Sequence, residues 1–175
     1  DALIELHYLG IHNVLAVRGD DKGFAKPHRS DRTRNEYASD LVGQVAEMNA
    51  GHYLEDLLDA SPTDFCVGVG GYPETHEESP NRTWDILNLK KKVDAGADYV
   101  VTQMFFESRH YFEYVERCRD VGIDVPIVPG LKILTSKRQL QSIPKAFHTE
   151  IPEALAAEVE AAPDDRVADV GVEWA

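Results

Sequence analysis

Four short segments of this 175-residue chain carry side chains that could do chemistry. Arg18-Gly19-Asp20 follows the apolar run Val14 to Val17. At the end of a strand, glycine lets a ligand approach the backbone, the guanidinium fork suits a phosphate or ring oxygen, and a carboxylate can hold an amide-like edge. The plainer alternative is an ion pair that caps the strand. In the second segment, Gly68-Val69-Gly70-Gly71-Tyr72-Pro73-Glu74-Thr75-His76, three glycines leave room beside the backbone before an aromatic residue and a histidine. Tyr72 can stack on or donate to a ligand and His76 can bind a phosphate or a carbonyl oxygen; a solvated or structural histidine is the bland alternative. No helical pattern begins directly after the glycines, so a dinucleotide fingerprint is rejected.

The third segment begins near Arg82. Ile86, Leu89 and Val93 recur at helical spacing and predict a buried stripe, while Asp85, Asn88 and Lys92 repeat that spacing one residue earlier, with Lys91 beside them. A carboxylate, an amide and two ammoniums on one ridge suit a ligand bearing hydroxyls and phosphates. A solvated face carrying Lys90-Lys91-Lys92 is the competing reading. In the fourth, Thr102-Gln103 ends an apolar run and Met104-Phe105-Phe106 follows. An unpaired buried amide costs about 1–3 kcal/mol, so Gln103 requires a partner in the protein or a ligand. The aromatic pair reads as packing rather than as a stacking platform.

The elements that must position these residues are legible in a repeated pattern of helix end, glycine, then a branched apolar run. It occurs around Gly10, Gly96 and Gly122. Glycine closes a helix in the left-handed conformation, and the following run has the length and branching of a strand covered on both faces. The spacing predicts strands near 13–18, 65–70, 98–104 and 125–129. Helices are predicted near 37–50, 82–95, 108–121 and 136–143, before an acidic helical tail over 150–175. Alternation of this kind means a parallel sheet, either doubly wound or barrel. Polar or glycine residues follow every strand in turn, which favours the barrel, whose site is ringed by all its strand ends. Four strands cannot close one, so the chain is expected to be part of a single (β/α)8 TIM-barrel domain, about strands 4–7, cut from a longer protein.

Composition narrows the function classes. The net charge of −13 argues against a nucleic-acid surface, which needs clustered Lys and Arg. Eight acids face the single base Arg166 between Glu150 and Ala175, a pattern read as a solvated face. No apolar run reaches the ~20 residues of a membrane span. Cys66 and Cys118 have no metal-ligand or disulfide-framework spacing and read as buried reduced thiols; no metal site is expected. The protein is expected to be cytoplasmic.

Together the motifs resemble methylenetetrahydrofolate reductase of the bacterial type. The resemblance is carried by Asn13-Val14-Leu15-Ala16-Val17-Arg18-Gly19-Asp20, Tyr37-Ala38-Ser39-Asp40-Leu41-Val42, Gly71-Tyr72-Pro73-Glu74-Thr75-His76, and the stretch from Leu87 to Asp98. Thr102-Gln103-Met104-Phe105-Phe106 and Val128-Pro129-Gly130 follow in order. The resemblance implies an α/β barrel holding FAD at the strand C-termini. It also implies reduction of 5,10-methylenetetrahydrofolate by NADH or NADPH in a ping-pong route, within a homo-oligomer. Carried over by position, Arg18, Gly19, Asp20, Ala38, Tyr72, His76, Asp85, Asn88, Lys91 and Lys92 resemble FAD contacts. Asp20 also resembles the carboxylate that holds the pterin edge and tunes the flavin, Gln103 the amide shared by nicotinamide and folate, and Gln139 a folate contact. Two positions depart from the family: Lys91 stands where arginine is common, and Ile133 where relatives have a second proline. The resemblance further places the family's general acid, a strand glutamate, upstream of Asp1, so the chain by itself is expected to be inactive. Two other classes remain open. One is a non-enzymatic flavin- or pterin-binding module. The other is a Schiff-base barrel lyase using Lys91 or Lys92, which would require a strand-end lysine that the sequence does not supply.

Overall fold

The computed structural model describes residues 2–18, 35–55 and 58–175. Four parallel strands, β1 (Asn13–Ala16), β2 (Cys66–Gly71), β3 (Tyr99–Met104) and β4 (Ile127–Gly130), pair in the order β1-β2-β3-β4. Each strand pairs with the next in sequence, so the order never reverses and the described sheet has no switch point. That is the arrangement of a barrel arc rather than of a doubly wound sheet. The helices are α1 (Ala2–Tyr8), α2 (Ala38–Asn49), α3 (Arg82–Asp94), α4 (Ser108–Asp120), α5 (Gln139–Phe147), α6 (Glu153–Ala161) and α7 (Val167–Trp174).

The register explains which face each residue takes. Ala16, Val69, Val100 and Ile127 form one cross-strand row, all buried, and pack against Val42 and Val45 of α2, Ile86 and Leu89 of α3, and Tyr114 and Cys118 of α4. The neighbouring rows, Leu15-Gly68-Tyr99 and Gly70-Val101-Val128, point to the opposite face, where Leu15 is 49% and Val128 46% exposed among the described residues. Branched residues on both faces suit a sheet meant to be covered on both. Gln103 shares its side of β3 with Tyr99 and Val101, because side chains alternate along a strand. On that face the Tyr99 ring lies over Gly68, where a Cβ would come within 2.4 Å of it.

The three glycine junctions behave as the pattern predicts: Gly10, Gly96 and Gly122 have φ of 74°, 114° and 75°. Other boundaries shift. β1 stops at Ala16 rather than at 18, and α5 runs from Gln139 to Phe147 rather than over 136–143. Residues 136–138 form a turn instead of helix, with Gln139 Oε1 accepting from the backbone N–H of Thr135 at 2.6 Å. Pro144 does not stop the helix, which ends four residues later at left-handed His148 (φ 53°). The tail belongs to a second core, in which Leu155, Val159 and Val167 pack with Leu134 and Ile143 while its acids face outward. Of the two thiols, Cys118 is buried as expected and Cys66 only half-buried.

Candidate active site

The C-terminal ends of the strands gather most of the singled-out residues. β2 leads into the loop Tyr72 to Ser79, and α3 controls both ends of it. Lys92 Nζ donates to the Gly70 carbonyl at 2.6 Å, fixing the strand end. Asp85 accepts from the His76 backbone N–H and from the Ser79 hydroxyl, both at 3.2 Å, fixing the far side of the loop. The one-residue offset between this ridge and the buried stripe Ile86-Leu89 explains the reach. Both side chains emerge beside the core rather than into bulk water, and both are half-buried. Burial consequently raises the Asp85 carboxyl above its ordinary range, even though the His76 and Ser79 hydrogen bonds pull the other way. It lowers the Lys92 ammonium, against the attraction of Asp85.

Within the loop, the rings of Tyr72 and His76 meet edge to face with centroids 4.5 Å apart. Thr75 between them has φ 121°, a conformation that side-chain-bearing residues rarely adopt. Several contacts hold it there. Arg18, just beyond β1, pairs with Glu78. Glu74 accepts from the Glu150 backbone N–H at 2.7 Å, and Glu77 pairs with His148. Burial raises the Glu74 carboxyl, and its second oxygen, Oε1, is buried without a hydrogen bond among the described residues. Glu74, Glu78 and Ser79 therefore position the loop, a role no local motif signals, because their partners come from the residue pair after β1, from α3 and from the segment after α5.

The other candidates are placed as follows. Asn88 and Lys91 are exposed on α3, where Lys91 Nζ donates to Asn88 Oδ1 at 3.2 Å and sits 6.0 Å from the Trp84 ring centre. Gln103 lies at the adjoining end of β3, its amide oxygen accepting from the Met104 N–H at 3.0 Å. This local bond is the partner that its position demanded. Beside it, Thr102 Oγ1 accepts from the Gly130 N–H at 2.9 Å, and a Cβ at Gly130 would lie 2.1 Å from the Thr102 carbonyl oxygen. β3 and β4 can approach this closely only with glycine at that position. Phe105 is buried and stacks on Tyr111, while Phe106 joins the second core, so the aromatic pair is packing. Ala38 opens α2, whose first turn is closed by Asp40 accepting from the Glu36 and Tyr37 backbone N–H groups. Gln139 is drawn into its own turn by Thr135 and Ser136. Gly19 and Asp20 lie outside the described residues.

The structure thus links Arg18, Tyr72, His76, Asp85 and Lys92 through one loop, with Asn88 and Lys91 on the next turn of the same helix. It offers a glycine-lined strand end, an aromatic edge and several cations. That donor set suits an anionic ligand with an aromatic part, such as a dinucleotide.

Comparison with known proteins agrees with the motifs. The family described as methylenetetrahydrofolate reductase matches residues 1–175. The chain is 35% identical over 157 residues to 5,10-methylenetetrahydrofolate reductase of Escherichia coli, covering 89% of this chain and 46% of the relative. It is 31% identical over 175 residues to methylenetetrahydrofolate reductase 2 of Saccharomyces cerevisiae, covering 98% of this chain and 27% of that one. It thus spans less than half the length of these relatives. A solved protein of Clostridium thermocellum, described as binding two copies of 5-methyl-5,6,7,8-tetrahydrofolic acid, aligns over 63% of this chain and 40% of its own, with a TM-score of 0.47 and 20% identity. With the family matched from the first residue to the last, through all four strand ends, the chain belongs to the methylenetetrahydrofolate reductase family.

Proposed function

We propose that the complete protein reduces 5,10-methylenetetrahydrofolate to 5-methyltetrahydrofolate with NADH or NADPH, using FAD, as a cytoplasmic homo-oligomer in one-carbon and methionine metabolism. The observation that supports this most is the family match, which runs unbroken through the four strand ends and the α3 ridge. The flavin, when bound, supplies the hydride chemistry, accepting from the nicotinamide and donating to the folate. The remaining work belongs to the chain.

Arg18, Lys91 and Lys92 are the cations for an anionic cofactor, with Asn88 and Asp85 as partners for its hydroxyls and Tyr72, His76, Gly19 and Ala38 as further contacts. Among the described residues Lys91 bonds only neutral groups, so its charge is not cancelled by a carboxylate there. As a lysine it offers a point charge and not the two-pronged donor common at that position. Asp20 holds the pterin edge and keeps negative charge near the flavin, modulating its potential. Gln103 orients nicotinamide and folate in turn, exchanging its bond to the Met104 N–H for one to the ligand. Gln139 contacts folate after leaving its present turn, a cost that makes it the weakest of the substrate contacts. The general acid belongs to a part of the barrel outside this chain, so the piece alone is inactive.

A barrel lyase would use a lysine of depressed pKa at an inward strand end. Lys92 is lowered, but it sits on α3 and bonds the Gly70 carbonyl. The test is overall turnover of the complete protein. Reductase function requires FAD on the purified protein and NAD(P)H consumption that depends on methylenetetrahydrofolate. Flavin without folate-dependent consumption would support the non-enzymatic module instead.

A further inference from the structure

At the opposite, N-terminal end of the strands, three side chains converge that the reductase reading does not use. His7 lies in the last turn of α1, His12 precedes β1 and Asp64 precedes β2. Their arrangement is built by backbone structure. Gly10, in the left-handed conformation, closes α1 with two bonds, from the Gly10 N–H to the His7 carbonyl and from the Ile11 N–H to the Leu6 carbonyl, each at 3.0 Å. This doubly bonded turn folds the chain back so that His12 returns beside His7. The Cys66 N–H then donates to the His12 carbonyl at 2.7 Å, the first rung between β1 and β2, which brings Asp64 alongside.

The result is a cluster in which His7, His12 and Asp64 each offer one ligand-type atom, all within 4.8 Å of one another. His12 Nδ1 lies 2.5 Å and His7 Nδ1 3.4 Å from the same carboxylate oxygen. The two imidazoles stand nearly perpendicular, at 88°, with centroids 6.0 Å apart, and the Phe65 ring holds His7 from the side. His7 Nδ1 is itself buried yet makes no hydrogen bond among the described residues. A buried nitrogen that makes no hydrogen bond costs about 1–3 kcal/mol, which the 3.4 Å approach to the Asp64 carboxylate offsets only in part. A tetrahedral ion bound at about 2.0–2.2 Å to each ligand holds ligand atoms roughly 3.3–3.6 Å apart, so the 3.4 Å His7–Asp64 separation already fits and the 2.5 Å His12–Asp64 pair must open by about 1 Å.

We propose that His7, His12 and Asp64 form a binding site for a divalent transition-metal ion of the zinc class. Two neutral imidazoles and one carboxylate, without thiolate, match the ligand preferences of zinc, cobalt or nickel and not those of magnesium or calcium. The side chains are 31%, 44% and 68% exposed, which leaves water access for the remaining coordination positions. An ion here would give the His7 nitrogen its partner and tie α1 to the starts of β1 and β2. Sequence spacing hides the site, because His12 and Asp64 are 52 positions apart and meet only through strand pairing.

The test uses the complete protein, stripped with a chelator and titrated with zinc chloride alone at pH 7.5 in a calorimeter. The wild type should bind one zinc ion more than His7→Ala, His12→Ala or Asp64→Asn, or bind that ion at least tenfold more tightly. Zinc should also raise the melting temperature of the wild type and of no variant. His12→Gln, which keeps a polar group against Asp64, guards against a folding artefact: metal-free, it should melt with the wild type and still lose the ion. Equal zinc stoichiometry and affinity in wild type and variants, or no saturable binding by the wild type, would overturn the proposal.

Discussion

Replacing Lys92 by methionine separates the two roles assigned to it. The ammonium donates to the Gly70 carbonyl at 2.6 Å and so ties α3 to the end of β2. A hydrogen bond from a charged donor contributes about 1.5–3 kcal/mol net, and methionine keeps the stem packed while removing it. Two effects then oppose each other. The variant no longer buries an ammonium, the burial that depresses the Lys92 pKa, but it leaves half-buried Asp85 without its cationic neighbour. The expected net loss is about 1–2 kcal/mol. A domain of roughly 150–250 residues loses about 2–4 °C in melting temperature per kcal/mol, so Lys92→Met should melt about 2–8 °C below the wild type. The assay is thermal unfolding of the complete protein followed by circular dichroism, with and without added FAD, alongside a fluorescence titration of FAD. Affinity for FAD should fall at least tenfold. An unchanged or higher melting temperature would refute the tie to Gly70, and unchanged FAD affinity would remove Lys92 from the cofactor site.

The Asp85 carboxyl is raised from 3.8 on folding, so the folded protein binds more protons than the unfolded chain between 3.8 and the folded value. Its contribution to stability therefore becomes more favourable as the pH falls from neutral into that window. In urea melts at pH 7 and pH 4.5, wild type should gain on Asp85→Asn at the lower pH; a constant difference would contradict the assignment. At Gly130 a Cβ would lie 2.1 Å from the Thr102 carbonyl oxygen, so Gly130→Ala should cost about 1–3 kcal/mol or more, read from the urea midpoint. Asp20→Asn in the complete protein should retain FAD and its reduction by NAD(P)H while folate reduction slows at least tenfold in single-turnover assays. Unchanged folate reduction would take Asp20 out of the mechanism.

The sequence carries the architecture because its signals are local. Gly10, Gly96 and Gly122 each had to follow a helix and precede a strand, and each occupies the left-handed region that made glycine necessary. The ridge Asp85-Asn88-Lys92 was legible for the same reason, since helical spacing alone places it beside Ile86 and Leu89. Signals that depend on distant segments were not legible. The helix predicted over 136–143 begins at Gln139 and runs to Phe147, because the left-handed cap at His148 closes it beyond the predicted end. Gln103 and Gln139 were recognisable as polar residues in unusual places, whereas their bonds to neighbouring backbone groups follow from strand-end and turn geometry. Glu74 lies inside a recognised motif, yet its clamp on the Glu150 N–H spans 76 positions and only the folded chain shows it.

The most direct measurement separates the two half-reactions of the complete protein under anaerobic conditions in a stopped-flow spectrophotometer. NADH or NADPH should bleach the flavin absorbance near 450 nm without folate. Adding 5,10-methylenetetrahydrofolate to the reduced protein should then restore the absorbance and yield an equal amount of 5-methyltetrahydrofolate. Flavin that is not bleached by either nucleotide, or that stays bleached after the folate is added, would contradict the proposed function.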